Sequence, residues 1–307
     1  MDEKGIVLSI ITPSKDLDPE IFQKTAASVL SAMQPNWEWV IVVHNSTPDA
    51  AEQIRQLTGN DSNISVCIKN DDIHSPASPR NTGLLLARGK YIYFLDHDDL
   101  LKREFLLKAI EKMERDGCDL LLGNAEKRTT TENLAEMPMD LDFPVFEDGY
   151  IVPKSPEPLG RLLVGAGAFL GSRVIRRSLI TENNIQFDED LILMEDHVFN
   201  VRCYAYANRI CVMAGLVAYT YVQHENSLLQ KIVREDSDPE MTYLEPIHRV
   251  VRVALDNGIS PGRYLWLMLS FAAFVYRHSS MSTEKKRRLM AGIQEYLPLM
   301  KPEDMHR

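Results

Sequence analysis

Asp96, Asp98 and Asp99 close the run Tyr91-Ile92-Tyr93-Phe94-Leu95-Asp96-His97-Asp98-Asp99. Apolar and aromatic residues suit a strand interior and aspartates do not, so these acids fall just past a strand's carboxyl end. In open α/β sheets that edge is where ligands bind. Clustered carboxylates repel one another unless a cation neutralises them. Their hard oxygens suit Mg²⁺ or Mn²⁺, ions that bind through one or two carboxylates with substrate phosphates completing the shell. The competing reading is a solvated Asp-rich turn. A second pair, Glu195-Asp196, follows the apolar residues 191–194 and opens a helical pattern. The helix dipole favours a carboxylate there and keeps it ionised, either as a cap or as a general base.

The elements that must position these acids alternate. Strands are expected over 6–12, 39–43, 64–68, 90–95 and 120–123, and helices over 18–32, 49–58, 78–88 and 104–116. Asp18-Pro19 is a sound helix start. Strands separated by helices imply a mostly parallel sheet with right-handed crossovers. Residues 129–158 break the pattern and are rich in proline; a loop this long is functional or disordered. Helices are expected again over 172–182 and 197–207, with a strand region over 210–222. After the polar residues 234–240 the chain reads as helical over 241–257, 262–278 and 283–296.

Composition bounds the function. The chain has 307 residues, 45% hydrophobic and 25% charged, as in ordinary globular domains. The net charge of −10 argues against a general nucleic-acid binder. Cys67, Cys118, Cys203 and Cys211 show no CxxC spacing and lie in apolar contexts, which predicts reduced, buried thiols. The start Met1-Asp2-Glu3-Lys4 lacks the pattern of a signal peptide. Residues 264–275 are too short an apolar segment to span a bilayer. A cytoplasmic location is the expectation, with the inner membrane face left open. Lys285-Lys286-Arg287-Arg288 beside Leu289, Met290 and Ile293 fits an amphipathic face on anionic lipid or, more commonly, a packed helix with a solvated basic side. The apolar residues 264–276 fit core or a homo-oligomer contact.

In order along the chain, several stretches resemble the inverting family-2 glycosyltransferases of the GT-A fold. Ser9-Ile10-Ile11-Thr12-Pro13-Ser14 is similar to the family's opening strand and turn, and residues 27–34 to its first helix. Pro79-Arg80-Asn81-Thr82-Gly83-Leu84 with residues 87–92 resembles the approach to the metal strand. Asp96-His97-Asp98-Asp99 resembles the DxD motif, Glu195-Asp196 the acidic pair bearing the catalytic base, and His224-Glu225-Asn226-Ser227 the closing loop. A nearer likeness is to enzymes that add N-acetylglucosamine to wall teichoic acid.

The resemblance implies a Rossmann-like, mostly parallel α/β sheet flanked by helices over 1–233, with an all-helical region over 234–307. It implies a metal-dependent transferase that takes a sugar from a nucleotide diphosphate sugar, a UDP-sugar by expectation. The acceptor would be a glycan or polyol-phosphate hydroxyl. Asp98 and His224 would hold Mn²⁺ or Mg²⁺, and Asp96 would lie near the ribose. Thr12, Pro13, Ser14, Asn45, Arg80 and Arg173 would line the donor site, with Asp196 the base and Glu195 orienting the acceptor or the helix. His44-Asn45 stands where the family carries two aspartates, and Asn45 can still accept from uracil N3–H. Lys15 replaces the usual tyrosine and reaches either solvent or a phosphate. Asp99 is expected to cap the following helix. The substitution at His44-Asn45 keeps open a catalytically silent nucleotide- or glycan-binding module. The clustered acids keep open a phosphoryl-transfer enzyme, against which the motif's place after the fourth strand and the later acidic pair both argue.

Overall fold

The computed structural model describes residues 5–15, 18–59, 61–129, 149–151, 156–164, 168–223 and 228–301. Side-chain alternation along the strands builds the sheet. In β4 (Tyr91–Phe94), Tyr91 and Tyr93 enter one core cluster, while Ile92 and Phe94 enter the other. In β6 (Leu120–Thr129), Leu121 faces the first cluster and Leu120 and Leu122 the second. This period of two makes both faces apolar, so helices must cover each of them.

One face takes α1 (Pro19–Leu30), α2 (Pro48–Thr58) and α4 (Arg103–Asp116) through Phe22, Ile54 and Phe105. The other takes α7 (Glu195–Tyr206), α9 (Glu245–Asp256), α10 (Gly262–His278) and α11 (Thr283–Gln294). Phe94, Phe199, Val250, Val275 and Ile293 belong to the same buried cluster, so the C-terminal helices share a core with the sheet. Asp18 caps α1 as its sequence predicts, accepting from the backbone N–H groups of Glu20 and Ile21 with Pro19 at the first position.

The strand order is β3-β2-β1-β4-β8-β6-β9-β5, with β7 also on β9. Here β1 is Leu8–Ser14, β2 Trp37–His44, β3 Ile64–Lys69, β5 Leu100–Leu101, β7 Gly149–Ile151, β8 Arg173–Arg176 and β9 Ile210–Gln223. The first four strands of that order run parallel, whereas β8 is antiparallel to both of its neighbours. Strand order reverses beside β1, the crevice position for ligands in such sheets. Ile11 pairs with Phe94, so Thr12-Pro13-Ser14, expected as a turn but still strand paired with β2, runs beside the segment that leads to Asp96.

Three expectations need correction. Residues 173–176 form a strand, and the helix starts only at α6 (Arg177–Glu182). Arg-Val-Ile-Arg is β-branched at its centre and fills the gap between β4 and β6, so tertiary pairing overrides the helical spacing. Asp99 does not cap α4, because β5 intervenes and Lys102 takes the cap position. Cys118 and Cys211 are joined in a disulfide, leaving Cys67 and Cys203 free. Leu121 pairs with Cys211 in the β6–β9 ladder, which brings two cysteines 93 residues apart together. The unlabelled remainder includes the short helices α5 (Pro156–Arg161) and α8 (Leu228–Arg234), neither of which was expected. Most of the proline-rich segment, and His224-Glu225-Asn226-Ser227, lie outside the described residues.

Candidate active site

The loop after β4 is held from below by α1. The Thr25 hydroxyl donates to His97 O at 2.9 Å, and Ser28 Oγ accepts the Leu101 N–H at 3.1 Å. Asp96 and Asp98 remain partly exposed on this loop, whereas Asp99 turns inward and is buried. Asp99 accepts the Val222 N–H at 2.9 Å, fixing the end of β9 to the acidic loop. Burial pushes its pKa well up, and the charges of Asp98 and Asp96 push the same way. The carboxyl groups of Asp96, Asp98 and Asp99 therefore stand close enough to feel one another, and burial of Asp99 favours its neutral form.

Arg80 joins this cluster to the second acidic pair. It sits on α3 (Ala77–Leu86), and its side chain is only 6% exposed. Its Nη2 donates to Asp96 at 2.7 Å and its Nη1 to Glu195. The guanidinium also lies 5.6 Å from the Phe187 ring centroid. Burial opposes the charge on Arg80, but Asp96, Glu195 and Asp196 together raise its pKa. The arginine is thus the hub of a buried ion-pair network. A charged hydrogen bond such as the one to Glu195 is worth roughly 1.5–3 kcal/mol.

Glu195 and Asp196 occupy the first two positions of α7 and divide in environment. The Glu195 side chain is 6% exposed, while that of Asp196 is 23% exposed. Burial pushes the Glu195 pKa up to about 7 against the pull of Arg80, and Asp196 adds to the rise. Asp196 Oδ1 accepts the His197 N–H at 2.9 Å, as a residue in a helix's first turn can, and the side chain stays partly exposed. Met194, just before the pair, holds left-handed backbone at φ 60. Such a conformation in a residue other than glycine costs about 1–3 kcal/mol and persists only where the surroundings impose it.

The residues expected to line a donor are only partly gathered at this edge. Thr12, Pro13 and Ser14 are buried at the end of β1, and Lys15 beyond them is half-buried. Thr12 Oγ1 accepts from Trp39 Nε1 at 2.9 Å, while the buried Ser14 hydroxyl has no partner among the described residues. Asn45 departs from its expected role. Its Nδ2 donates to Ile73 O and its Oδ1 accepts the Asp71 N–H, both at 2.9 Å, so the amide anchors the loop after β3. Its φ of 47 suits asparagine. Arg173 also departs. It has no exposed surface, donates to Phe169 O and to the Tyr204 hydroxyl, and so braces the core without lining an open cleft.

Two residues escaped the sequence reading. Asp71 accepts from His44 Nε2 at 2.8 Å and from the Ser78 hydroxyl at 2.6 Å. Burial pushes its pKa up, but these bonds and the Ile73 N–H outweigh that and hold it far below the usual carboxylate range. An acid therefore does stand beside the second strand's end, supplied from the loop after β3. Asp71-Asp72 directly follows a strand, the same signal that marked Asp96. The second is Tyr221 on β9. Burial raises its pKa, followed by the charges of Asp99, Asp98, Asp96 and Asp196, so its hydroxyl lies within the field of both acidic groups.

The donor set bears on a cation. Among the described residues, no group of three or more His, Cys, Asp or Glu side chains is arranged to hold a metal by itself. The chain can offer the carboxylates of Asp98 and Asp96, hard oxygen ligands, with Arg80 on one oxygen of Asp96. That fits Mg²⁺ or Mn²⁺ completed by substrate phosphates and water. His224 lies outside the described residues.

A mixed sheet, parallel only over β3-β2-β1-β4 and between β6 and β9 rather than mostly parallel as expected, carries the acids at the carboxyl edge of β4 and has the GT-A architecture. The profile for Glycosyl transferase family 2 matches residues 9–181, and the chain belongs to that family. Poly(ribitol-phosphate) β-N-acetylglucosaminyltransferase TarS of Staphylococcus aureus is 24% identical over 83% of this chain and 41% of its own length. The poly(ribitol-phosphate) β-glucosyltransferase of Bacillus spizizenii is 22% identical over 91% of this chain and 41% of its own. The chain thus spans about two fifths of these relatives. The crystal structure of S. aureus TarS 1–349 in complex with UDP-GlcNAc superposes with a TM-score of 0.68 at 19% identity, over 97% of this chain and 82% of that one. No described helix is long and apolar enough to cross a membrane.

Proposed function

We propose that this chain is a metal-dependent inverting glycosyltransferase that moves a sugar from a UDP-sugar to a hydroxyl of a teichoic-type polymer or related surface glycan. The observation that carries the reading is Arg80, which ties Asp96 after β4 to Glu195 at the head of α7. It thereby brings the acids suited to a diphosphate-bound cation next to Asp196. Similarity to the two poly(ribitol-phosphate) transferases supports the acceptor class.

In this reading Asp98, with Asp96, would hold Mg²⁺ or Mn²⁺. The bound cation supplies Lewis-acid stabilisation to the charge that grows on the leaving diphosphate. Thr12, Pro13 and Ser14 line the nucleoside side, and Asp71 keeps His44 and the β3 loop in place beside them. Asp196 accepts the acceptor's hydroxyl proton as that oxygen bonds to the anomeric carbon. The bond from that carbon to the phosphate oxygen breaks on the opposite face, and UDP leaves with the electron pair. Arg80 and Glu195 touch neither reacting atom and hold the two acidic segments in register.

A thermal-shift screen of nucleotide sugars with and without Mn²⁺ tests the donor. A ligand present at about 100 times its Kd stabilises the fold by about 2.7 kcal/mol. The reading requires a UDP-sugar to raise the melting temperature, more so with Mn²⁺. Stabilisation by no nucleotide diphosphate would leave a silent module as the better account, the reading that the engaged amide of Asn45 favours.

A further inference from the structure

Helix α7 is entered through residues 183–194, which form neither helix nor strand. Met194 ends this segment in left-handed backbone. Whatever holds the segment therefore sets where Asp196 stands. On one side the holders belong to α3 and the loop before it. Asn81 Nδ2 donates to Phe187 O at 3.0 Å, its Oδ1 accepts the Phe187 N–H at 2.9 Å, and the Ser75 hydroxyl donates to Leu191 O. On the other side Arg202 of α7 forms a fork on Asp188, at 2.7 and 3.0 Å.

A second arginine comes from outside the region matched by the family profile. Arg249 of α9 donates through Nη1 to Asp188 at 2.9 Å and to Asp190 at 2.8 Å. Its Nη2 donates to the other oxygen of Asp190 at 2.6 Å, and its Nε to Glu245 at 2.8 Å. A planar guanidinium fixes both the distance and the angle of such a carboxylate, which a lysine ammonium does not. Hydrogen bonds from Arg249 also hold the Asp190 carboxyl below its usual range.

We infer that Arg249 is a positioning residue for Asp196: the C-terminal helices clamp the segment that presents the base. This rests on Asp196 being the general base. Arg249 touches no reacting atom. Its role is to keep residues 186–191 against α7 and so to sustain the backbone turn at Met194. The helical region is then part of the catalytic unit rather than an appendage.

The test compares wild type with Arg249→Gln and Arg249→Lys. Because a misplacement of about 1 Å can cost roughly 100-fold in rate, kcat per folded molecule should fall about tenfold or more in Arg249→Gln, with donor KM nearly unchanged. Arg249→Lys, which keeps the charge without the fork, should fall between. Lys285→Ala breaks the pair with Asp236 elsewhere in the helical region and should leave kcat unchanged. Amide hydrogen exchange reads the clamp without any sugar transfer. Residues 187–198 should exchange faster in Arg249→Gln while β1 to β4 do not change. Unaltered exchange in that segment, or altered exchange with unaltered kcat, would overturn the inference. A wild-type chain that transfers no sugar would instead remove the functional reading, and exchange would still decide whether Arg249 holds the segment.

Discussion

Replacing Arg80 by alanine strands Glu195, and the cost should depend on pH. The Arg80 and Glu195 side chains are each 6% exposed, so water does not take over when the guanidinium leaves. Asp96 is 42% exposed and is rehydrated, so it contributes little to the cost. Losing the charged hydrogen bond to Glu195 costs roughly 1.5–3 kcal/mol. Unfolding entropy for 307 residues is about 0.6 kcal/mol per kelvin, so the melting temperature should drop about 2–5 °C near pH 6. Linkage then sets the pH dependence. Burial raises the Glu195 pKa to about 7 in the folded protein, above its unfolded value. Its contribution is full below the unfolded pKa and is lost as pH rises through about 7. Without Arg80 the opposing pull disappears and the folded pKa climbs further. The variant should therefore keep losing stability above pH 7, at about 1.4 kcal/mol per pH unit, where the wild type has levelled off. Scanning fluorimetry from pH 6 to 8.5 measures the gap, which should widen by about 2 °C per unit above pH 7. The double variant Arg80→Ala/Glu195→Gln should show no widening. A gap equal at pH 6 and pH 8.5 would refute the argument that Glu195 is the stranded charge.

Asp99→Asn should match or exceed wild-type stability in urea unfolding at pH 7, because it retains an acceptor for Val222 and removes a carboxyl whose ionisation burial opposes. Asp99→Ala should lose about 1–3 kcal/mol in the same titration by orphaning that N–H. Gly89→Ala places a Cβ 2.5 Å from Ser9 N and 2.7 Å from Leu8 C, both backbone atoms, so β1 and β4 must part. It should cost about 1–3 kcal/mol by chemical denaturation, and a neutral result would mean the strand junction is slack.

The sheet and the acids of the site were legible because their signals are local. The apolar, aromatic run 91–95 marked β4, and Asp18-Pro19 marked the start of α1. What escaped depends on distant partners. Strand β8 is fixed by ladders to β4 and β6, and its four residues carry too little pattern to outweigh the helix that follows. The role of Asp99 depends on Val222, 123 residues away, and that of Arg80 on Glu195, 115 away. Asn45 looked like a nucleobase contact until Asp71 and Ile73 took up its amide. The disulfide needed β6 beside β9 before the cysteines could meet. The basic run on α11 found acidic partners in the chain itself, with Lys285 on Asp236 and Arg288 near Asp238. That supports the packed-helix reading over a lipid-facing one.

The central claim is that Asp196 is the base of a sugar-transfer reaction whose donor site it does not build. Transfer from a UDP-sugar to poly(ribitol phosphate), measured beside UDP affinity in Asp196→Asn, tests it most directly. Asparagine retains the helix-start position and the acceptor for the His197 N–H but cannot take a proton. The account predicts that transfer is abolished while UDP binds as in the wild type. Transfer at the wild-type rate, or loss of UDP binding together with transfer, would contradict it.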